Sequence, residues 1–126
     1  MDEALDYYKE VVFEKYADFD GRARRAEFWY FLLIHILVFI GLAATGKSIN
    51  SEIYIIALVV YSLFTIIPTF AVTVRRLHDI DKSGWWYCIK FIPIVGSIIL
   101  IVFLATQGNY GPNRFGEDPI DDELLI

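Results

Sequence analysis

The sequence has few of the features that characterise secreted, nucleic-acid-binding or catalytic proteins. Only one of its 126 residues is a cysteine, Cys88, so a scaffold held by intrachain disulfides is excluded. Charged residues make up 21% of the chain and the net charge is −5. This balance disfavours nucleic acid as a partner, because phosphate binding depends on basic residues. No H-E-x-x-H, G-x-S-x-G or phosphate-loop spacing occurs, and we predict no enzymatic activity, metal or cofactor.

Long apolar runs dominate the remaining sequence, in which 56% of the residues are hydrophobic. Runs of about twenty residues with almost no charge match a hydrocarbon core of roughly 30 Å at about 1.5 Å per helical residue. Three such spans are predicted, at Phe28–Ala44, Ile53–Val74 and Trp85–Ala105. The predicted fold is all-α: an integral membrane protein with three antiparallel transmembrane helices, an amphipathic N-terminal helix and an irregular C-terminal tail.

The composition divides the chain into an amphipathic N-terminal segment (1–20), a membrane domain (21–105) and a polar, acidic tail (106–126). In the first part Leu5, Tyr8, Val12 and Tyr16 recur at spacings of three and four, which predicts a short helix with one apolar side. That side faces either the bilayer surface or the rest of the protein, and the sequence leaves both alternatives open.

Basic residues near the predicted spans are distributed unequally. The side facing the N-terminus carries eight of them, Lys9, Lys15, Arg22, Arg24, Arg25, Arg75, Arg76 and Lys82. The other side carries only Lys47 and Arg114. Because cytoplasmic segments are enriched in Lys and Arg, the bias predicts a cytoplasmic N-terminus and an external C-terminus. Trp29, Trp85 and Trp86 fall at the same inner boundary, where an aromatic belt anchors helices at the interface.

Three polar segments carry a family resemblance. They are Phe19–Tyr30 (FDGRARRAEFWY), Arg75–Tyr87 (RRLHDIDKSGWWY) and Gly108–Pro119 (GNYGPNRFGEDP). In order and spacing they resemble the YhaH-like family of bacterial inner-membrane proteins, which is classified as a domain of unknown function. The resemblance runs from about Tyr16 to Pro119. It implies a small, helical, multi-pass protein of the bacterial cytoplasmic (inner) membrane, with no assigned activity, substrate or cofactor.

The same segments supply the candidate site for an anionic headgroup or a partner. Its predicted residues are Arg22, Arg24, Arg25, Arg75, Arg76, His78, Asp79 and Lys82. Arginine forks suit phosphate, which favours a headgroup or anion site. The alternative is that these cations only orient the protein and that Asp79 pairs with nearby arginines.

A second candidate site lies within the predicted spans. Similar depth in the inner half of the bilayer brings together His35, Thr65, Thr69 and Lys90 as an intramembrane polar patch. Ionisable groups at such a depth often mark a proton relay or a solute path. The alternative is a neutral histidine that makes an interhelical hydrogen bond to a threonine.

Two prolines fall at matching depth in the predicted second and third spans. Pro68 and Pro93 each lack an amide donor, and so each frees the carbonyl four residues earlier, of Phe64 or Ile89. The predicted result is a bend in each helix, which either opens a cavity or is absorbed by packing.

These observations lead to two functional hypotheses. The first is a non-enzymatic scaffold or accessory protein whose basic cytoplasmic face binds anionic lipid or a partner. The second is a small oligomeric transporter or channel for an anion or protons, which would use His35, Lys90 and the basic loop at Arg75–Lys82. Three helices bury little surface against one another, so we expect a homo-oligomer or a larger membrane partner.

Overall fold

A computed structural model describes residues 2–46 and 51–119. These residues form helices joined by irregular segments, with one isolated bridge between Asn113 and Gly116. In chain order the elements are α1 (Asp2–Lys9) with a π-helical turn (Glu10–Glu14), α2 (Arg25–Thr45), α3 (Ser51–Asp79), a 3₁₀ helix (Gly84–Phe91) and α4 (Val95–Ala105). The predicted all-α class is therefore observed. Residues 47–50 of the first connection and 120–126 of the tail lie outside the described residues.

Two helices are long and apolar enough to cross a membrane. They are α2, with 21 residues, and α3, with 29; at about 1.5 Å per residue both exceed the hydrocarbon thickness of roughly 30 Å. They contain the predicted first and second spans, respectively. Only about a fifth of each apolar stretch is buried inside the protein, 17% in α2 and 22% in α3. The core helix of a soluble protein would be mostly buried, so these exposed apolar faces suit a lipid environment.

The predicted third span, Trp85–Ala105, is not one helix, and this prediction is wrong. The chain runs down the 3₁₀ helix, reverses and returns along α4, which has 11 residues and rises only about 16 Å. The reversal occurs where Pro93 provides no amide. Ile94 has φ +64° and ψ −65°, and the Val95 amide donates to the Pro93 carbonyl over 2.7 Å. This geometry is a strained γ-turn, which folds the apolar run into a hairpin.

The two arms of the hairpin pack closely against each other. The ring of Trp86 in the first arm meets the ring of Phe103 in the second at a centroid distance of 5.7 Å. Nearer the turn, a Cβ on Gly96 would come within 1.8 Å of the Ile89 carbonyl oxygen. A glycine is required there because the backbones of the two arms approach too closely for any side chain.

Both ends of the hairpin lie beside the C-terminal end of α3. Gly84, at its start, packs on the side chain of Val74, and the Leu104 carbonyl, near its end, accepts from Arg76 Nε over 2.9 Å. The tail therefore leaves the hairpin at the end where α2 begins and α3 finishes. The described part of the tail thus lies at the same end of the molecule as the start of α2, whereas the sequence placed it on the opposite side; the orientation of the termini across a membrane stays a prediction.

The N-terminal segment packs on the protein. Tyr7 stacks on Tyr30 with ring centroids 5.8 Å apart, and Tyr8 stacks on Phe31 at 5.7 Å. Val11 and Val12 are fully buried. The apolar side of the segment thus covers α2 and α3, although Leu5, which was assigned to that side, is exposed.

The carbonyl that Pro68 frees within α3 is satisfied from outside the helix. The hydroxyl of Tyr16 donates to the Phe64 carbonyl oxygen over 2.7 Å. A buried carbonyl without a partner would be unfavourable in hydrocarbon. The N-terminal segment therefore compensates for the proline and holds α3 from the side.

Candidate functional site

The three polar segments meet at one end of the molecule and enclose a set of buried charges. We call this set the arginine cluster, and its members are Arg22, Glu27, Arg75, Arg76 and Asp79. Each of these side chains is at most 5% exposed. The cluster forms because α2 begins where α3 ends, so that the arginine turn before α2 faces the last two turns of α3.

Asp79 is the central anion of the arginine cluster. One carboxylate oxygen lies 2.9 Å from Arg22 Nε and the other lies 2.8 Å from Arg76 Nη1. Hydrogen bonds between ionised partners are about twice as strong as neutral ones. A carboxylate shared by two guanidinium groups therefore ties the turn before α2 to the end of α3.

The tail completes the coordination of both arginines with backbone oxygens. Arg22 donates to the carbonyls of Asn109 and Gly111, each over 2.7 Å. Arg76 donates to the Thr106 carbonyl. Gly108 lies so near Asp79 that a Cβ would come within 2.0 Å of a carboxylate oxygen. The tail is thus an integral wall of the arginine cluster.

The second ion pair of the cluster joins α3 to α2. Arg75 Nη1 lies 2.8 Å from Glu27 Oε1, and Arg75 Nε donates to the Asp18 carbonyl over 3.0 Å. Lys15 approaches the same Glu27 oxygen at 3.6 Å and pairs with Glu10 at 2.8 Å. Burial disfavours the Lys15 cation, but the hydrogen bond to Glu10 and the two carboxylate charges outweigh it and raise its pKa.

His78 links the same three segments. No Asp or Glu side chain among the described residues forms an ion pair with its ring. Its Nδ1 donates to the Gly21 carbonyl over 2.9 Å, and its backbone carbonyl accepts from Asn113 Nδ2 over 2.9 Å. Its ring stacks on Phe115 at a centroid distance of 4.0 Å. These contacts assign His78 to the joint between the tail and the body.

The predicted headgroup residues therefore separate into two groups. Arg22, Arg75, Arg76, His78 and Asp79 are buried and bind protein groups. These five side chains are therefore inside the protein and not on its surface. The other three are placed differently. Arg24 is half-buried and Arg25 is exposed, while the Lys82 ammonium lies 4.8 Å from the ring centroid of Phe103.

Arg25 lies at one end of a groove between the start of α2 and the end of α4. The groove has a volume of about 580 Å³ and is lined by Arg25, Ala26, Trp29, Tyr30, Leu33 and Ala105. Arg25, Trp29 and Leu33 are four residues apart and share one side of α2. The predicted anchors are exposed to different degrees, with Trp29 at 36%, Trp86 at 44% and Trp85 at 82%.

All four residues of the predicted polar patch, His35, Thr65, Thr69 and Lys90, line one cleft of about 480 Å³. The alternative of a bond between His35 and a threonine is not seen in the described residues, because Thr65 Oγ1 donates to the Tyr61 carbonyl over 2.8 Å and Thr69 Oγ1 has no hydrogen-bond partner there. The patch was predicted from matched depth, and the structure brings its members together on α2, α3 and the hairpin.

Tyrosines that sequence reasoning missed connect this cleft to the N-terminal segment. His35 Nδ1 lies 3.0 Å from the Tyr61 hydroxyl, which lies 2.8 Å from the Tyr8 hydroxyl. Tyr61 lies four residues before Thr65, on the same side of α3 as the predicted polar positions. Its phenolic hydroxyl, which is both a donor and an acceptor inside an apolar span, could have indicated that Tyr61 belongs to the polar patch.

The arginine cluster lies within the part of the chain that matches a known protein family. A family model described as "Protein of unknown function (DUF805)" matches residues 16–117. This chain belongs to the DUF805 family. The family resemblance drawn from the three polar segments is thereby confirmed.

Curated relatives of this DUF805 protein are named for their location. Inner membrane protein YhaI of Escherichia coli (strain K12) is 40% identical over 121 residues, which cover 91% of this chain and 96% of the relative. Inner membrane protein YhaH of the same strain is 39% identical over 118 residues, covering 91% and 97%. No solved structure matches the chain. The names of these two relatives place them in the inner membrane, which fits the long apolar helices of this chain. Neither name states a reaction.

Proposed function

We propose that this DUF805 protein is a non-enzymatic accessory protein of the bacterial inner membrane that binds anionic phospholipid in the Arg25 groove. The observation that carries the proposal is the order of side chains along the groove. Along one side of α2 the guanidinium group of Arg25 comes first, Trp29 follows one turn later and Leu33 follows after another turn. This order matches a phosphate, the headgroup boundary and an acyl chain.

The proposed topology has two spans, α2 and α3, and a hairpin that enters and leaves the bilayer on one side. That side would carry nine basic residues, because the tail adds Arg114 to the eight counted from the sequence, and the other would carry only Lys47. The stronger bias supports a cytoplasmic location for this side. The N-terminal segment and the described part of the tail would then both be cytoplasmic.

The charge that remains exposed favours Arg25 over the arginine cluster as the phosphate ligand. Asp79 and Glu27 already pair with the cluster arginines, whereas the Arg25 bond in the groove is a 3.3 Å contact from Nη1 to the Ala105 carbonyl. A guanidinium group has five N–H donors, so several are available for a phosphate.

Lipid retention tests this proposal. The full chain is extracted in mild detergent with phosphatidylglycerol or phosphatidylethanolamine, and bound lipids are counted by native mass spectrometry. We expect Arg25→Gln to retain several-fold less phosphatidylglycerol than the wild type. Arg114→Gln is the matched control, because Arg114 is exposed and pairs with Asp81. Equal retention by Arg25→Gln and the wild type would contradict the proposal.

A second candidate function, an oligomeric channel for protons or an anion, is favoured by the hydroxyl and imidazole chain from Tyr8 through Tyr61 to His35. Such a chain can pass a proton between neighbouring groups. The test is proton flux in liposomes with wild-type protein and Tyr61→Phe, which keeps the ring and removes the central hydroxyl. A flux that the variant lacks would favour the channel, and no flux in either would exclude it.

A further inference from the structure

The cleft beneath the hairpin combines an apolar lining with one cation. Between α2, α3 and the 3₁₀ helix, its apolar walls include Phe39, Ile66 and Phe91. Lys90 and His35 provide its ionisable groups. Cavities of this volume are in the range that binds small ligands.

Lys90 has no carboxylate to balance its charge among residues 2–46 and 51–119. Its Nζ donates to the Tyr87 hydroxyl over 2.8 Å and lies 4.1 Å from the centroid of that ring. The residue is six positions beyond Gly84, and at about 2 Å per 3₁₀ residue this places its backbone about 12 Å along the hairpin. A cation at such a depth is unfavourable unless an anion accompanies it.

We propose that this cleft binds one long-chain carboxylate, a fatty acid, with its carboxylate on Lys90 Nζ and its chain among Phe39, Ile66 and Phe91. One unbalanced cation matches a monoanion better than a dianionic phosphate. At about 30 Å³ for a group the size of water, the cleft holds about sixteen such groups, which corresponds to one acyl chain and not to a two-chain phospholipid. The site is separate from the Arg25 groove and does not depend on it.

Cys88 provides a reporter for this site, because it is the only cysteine in the chain and it lines the same cleft. The rate at which N-ethylmaleimide alkylates Cys88 is measured on the full-length protein in detergent. We expect hexadecanoate to slow alkylation at least fivefold and hexadecanol, which has the same chain and no charge, to leave the rate nearly unchanged. Equal protection by the alcohol would overturn the role of the carboxylate.

Variants of Lys90 test the cation directly. We expect hexadecanoate to slow alkylation of Lys90→Gln less than about twofold, and Lys90→Arg to keep most of the wild-type protection. Lys82→Gln is the matched control, since Lys82 also lies over aromatic rings of the hairpin. Protection of Lys90→Gln at the wild-type level would overturn the proposal. So would stronger protection by lysophosphatidic acid than by hexadecanoate.

Native mass spectrometry provides a second measurement, which does not depend on alkylation of Cys88. We expect one hexadecanoate per chain, and we expect Arg25→Gln to keep it. Loss of phosphatidylglycerol from Arg25→Gln with retention of hexadecanoate would separate the two sites. A chain that binds no hexadecanoate while retaining phosphatidylglycerol would overturn the fatty-acid site alone.

Discussion

The two halves of the molecule are held together by different forces. At one end, the arginine cluster joins α2, α3 and the tail through ion pairs of 2.8–2.9 Å and backbone carbonyls. In the apolar half, α2 and α3 leave most of their surface exposed and the hairpin leaves a cleft. Since lipid is as apolar as the helices, burial of apolar surface alone would not hold this fold together. The polar end therefore specifies the arrangement, and the cleft proposed for a fatty acid lies in the apolar half.

The largest expected effect comes from removing the central anion of the polar end. Asp79→Asn leaves Arg22 and Arg76 buried without their shared carboxylate, and breaking a buried pair in this way destabilises a protein by about 3–5 kcal/mol. We expect a large loss of thermal stability in detergent and faster proteolysis of the tail.

Asp81→Asn is the control for that change. Asp81 pairs with Arg114 at the surface, where both side chains are about half exposed, and such pairs contribute about 0–1 kcal/mol. Asp81 has a φ of +60°, which asparagine tolerates well. Similar destabilisation by the two substitutions would contradict the contrast between buried and exposed ion pairs.

The next effect tests the apolar half. Gly96→Ala would force the two arms of the hairpin apart at the Ile89 carbonyl, and overpacking of this kind destabilises by about 1–3 kcal/mol. Gly41→Ala is the matched control, because its added Cβ meets nothing within 4 Å and an alanine should stabilise the helix by about 0.5–1 kcal/mol. Thermal unfolding in one detergent compares them, and a neutral Gly96→Ala would contradict the close packing of the hairpin.

A smaller effect concerns the contact between the N-terminal segment and α3. Tyr16→Phe removes the donor to the Phe64 carbonyl and should reduce stability by about 1 kcal/mol. Pro68→Ala restores an amide that can serve the same carbonyl within the helix. In a double-mutant cycle, Tyr16→Phe should therefore be less destabilising in the Pro68→Ala background. Additive effects would show that the tyrosine does not compensate for the proline.

The smallest effect is a dependence on pH at Lys15. Because the folded protein raises its pKa, the charged lysine stabilises the fold below the unfolded value of about 10.4. This contribution is lost as the pH rises through the folded value. The difference in melting temperature between wild type and Lys15→Met should therefore shrink as the pH rises above about 10.4. A difference in melting temperature that stays constant over this change in pH would show that the ion pairs of Lys15 do not contribute the stabilisation.

The sequence predicted the helical class, the two long apolar helices and the family, because these depend on residues that are close in the chain. It did not predict the hairpin, since the run at Trp85–Ala105 has the length and composition of a span. Pro93 and Gly96 were the local signs of a reversal. Whether such residues bend a helix or break it depends on contacts with the other arm of the hairpin. Those contacts cannot be deduced from the sequence pattern.

The candidate sites show the same limit. Matched depth grouped His35 with Thr65, Thr69 and Lys90, and all four line one cleft, because packed antiparallel helices keep residues at fixed heights. The arginines were harder to place. Pairing with Asp79 was among the alternatives, but the carbonyls of Asn109 and Gly111 come from a tail that was expected on the other side. Which arginines are buried could be determined only in three dimensions.

The return of the hairpin bears on how this protein is made. Under the proposed topology, the polar tail never has to be translocated through the hydrocarbon layer. Only the short link between α2 and α3 crosses during biogenesis, and the last apolar run can be inserted from the side where it was synthesised. Insertion can then be completed by the docking of the tail onto Arg22 and Arg76, a step driven by charge and not by passage through the bilayer.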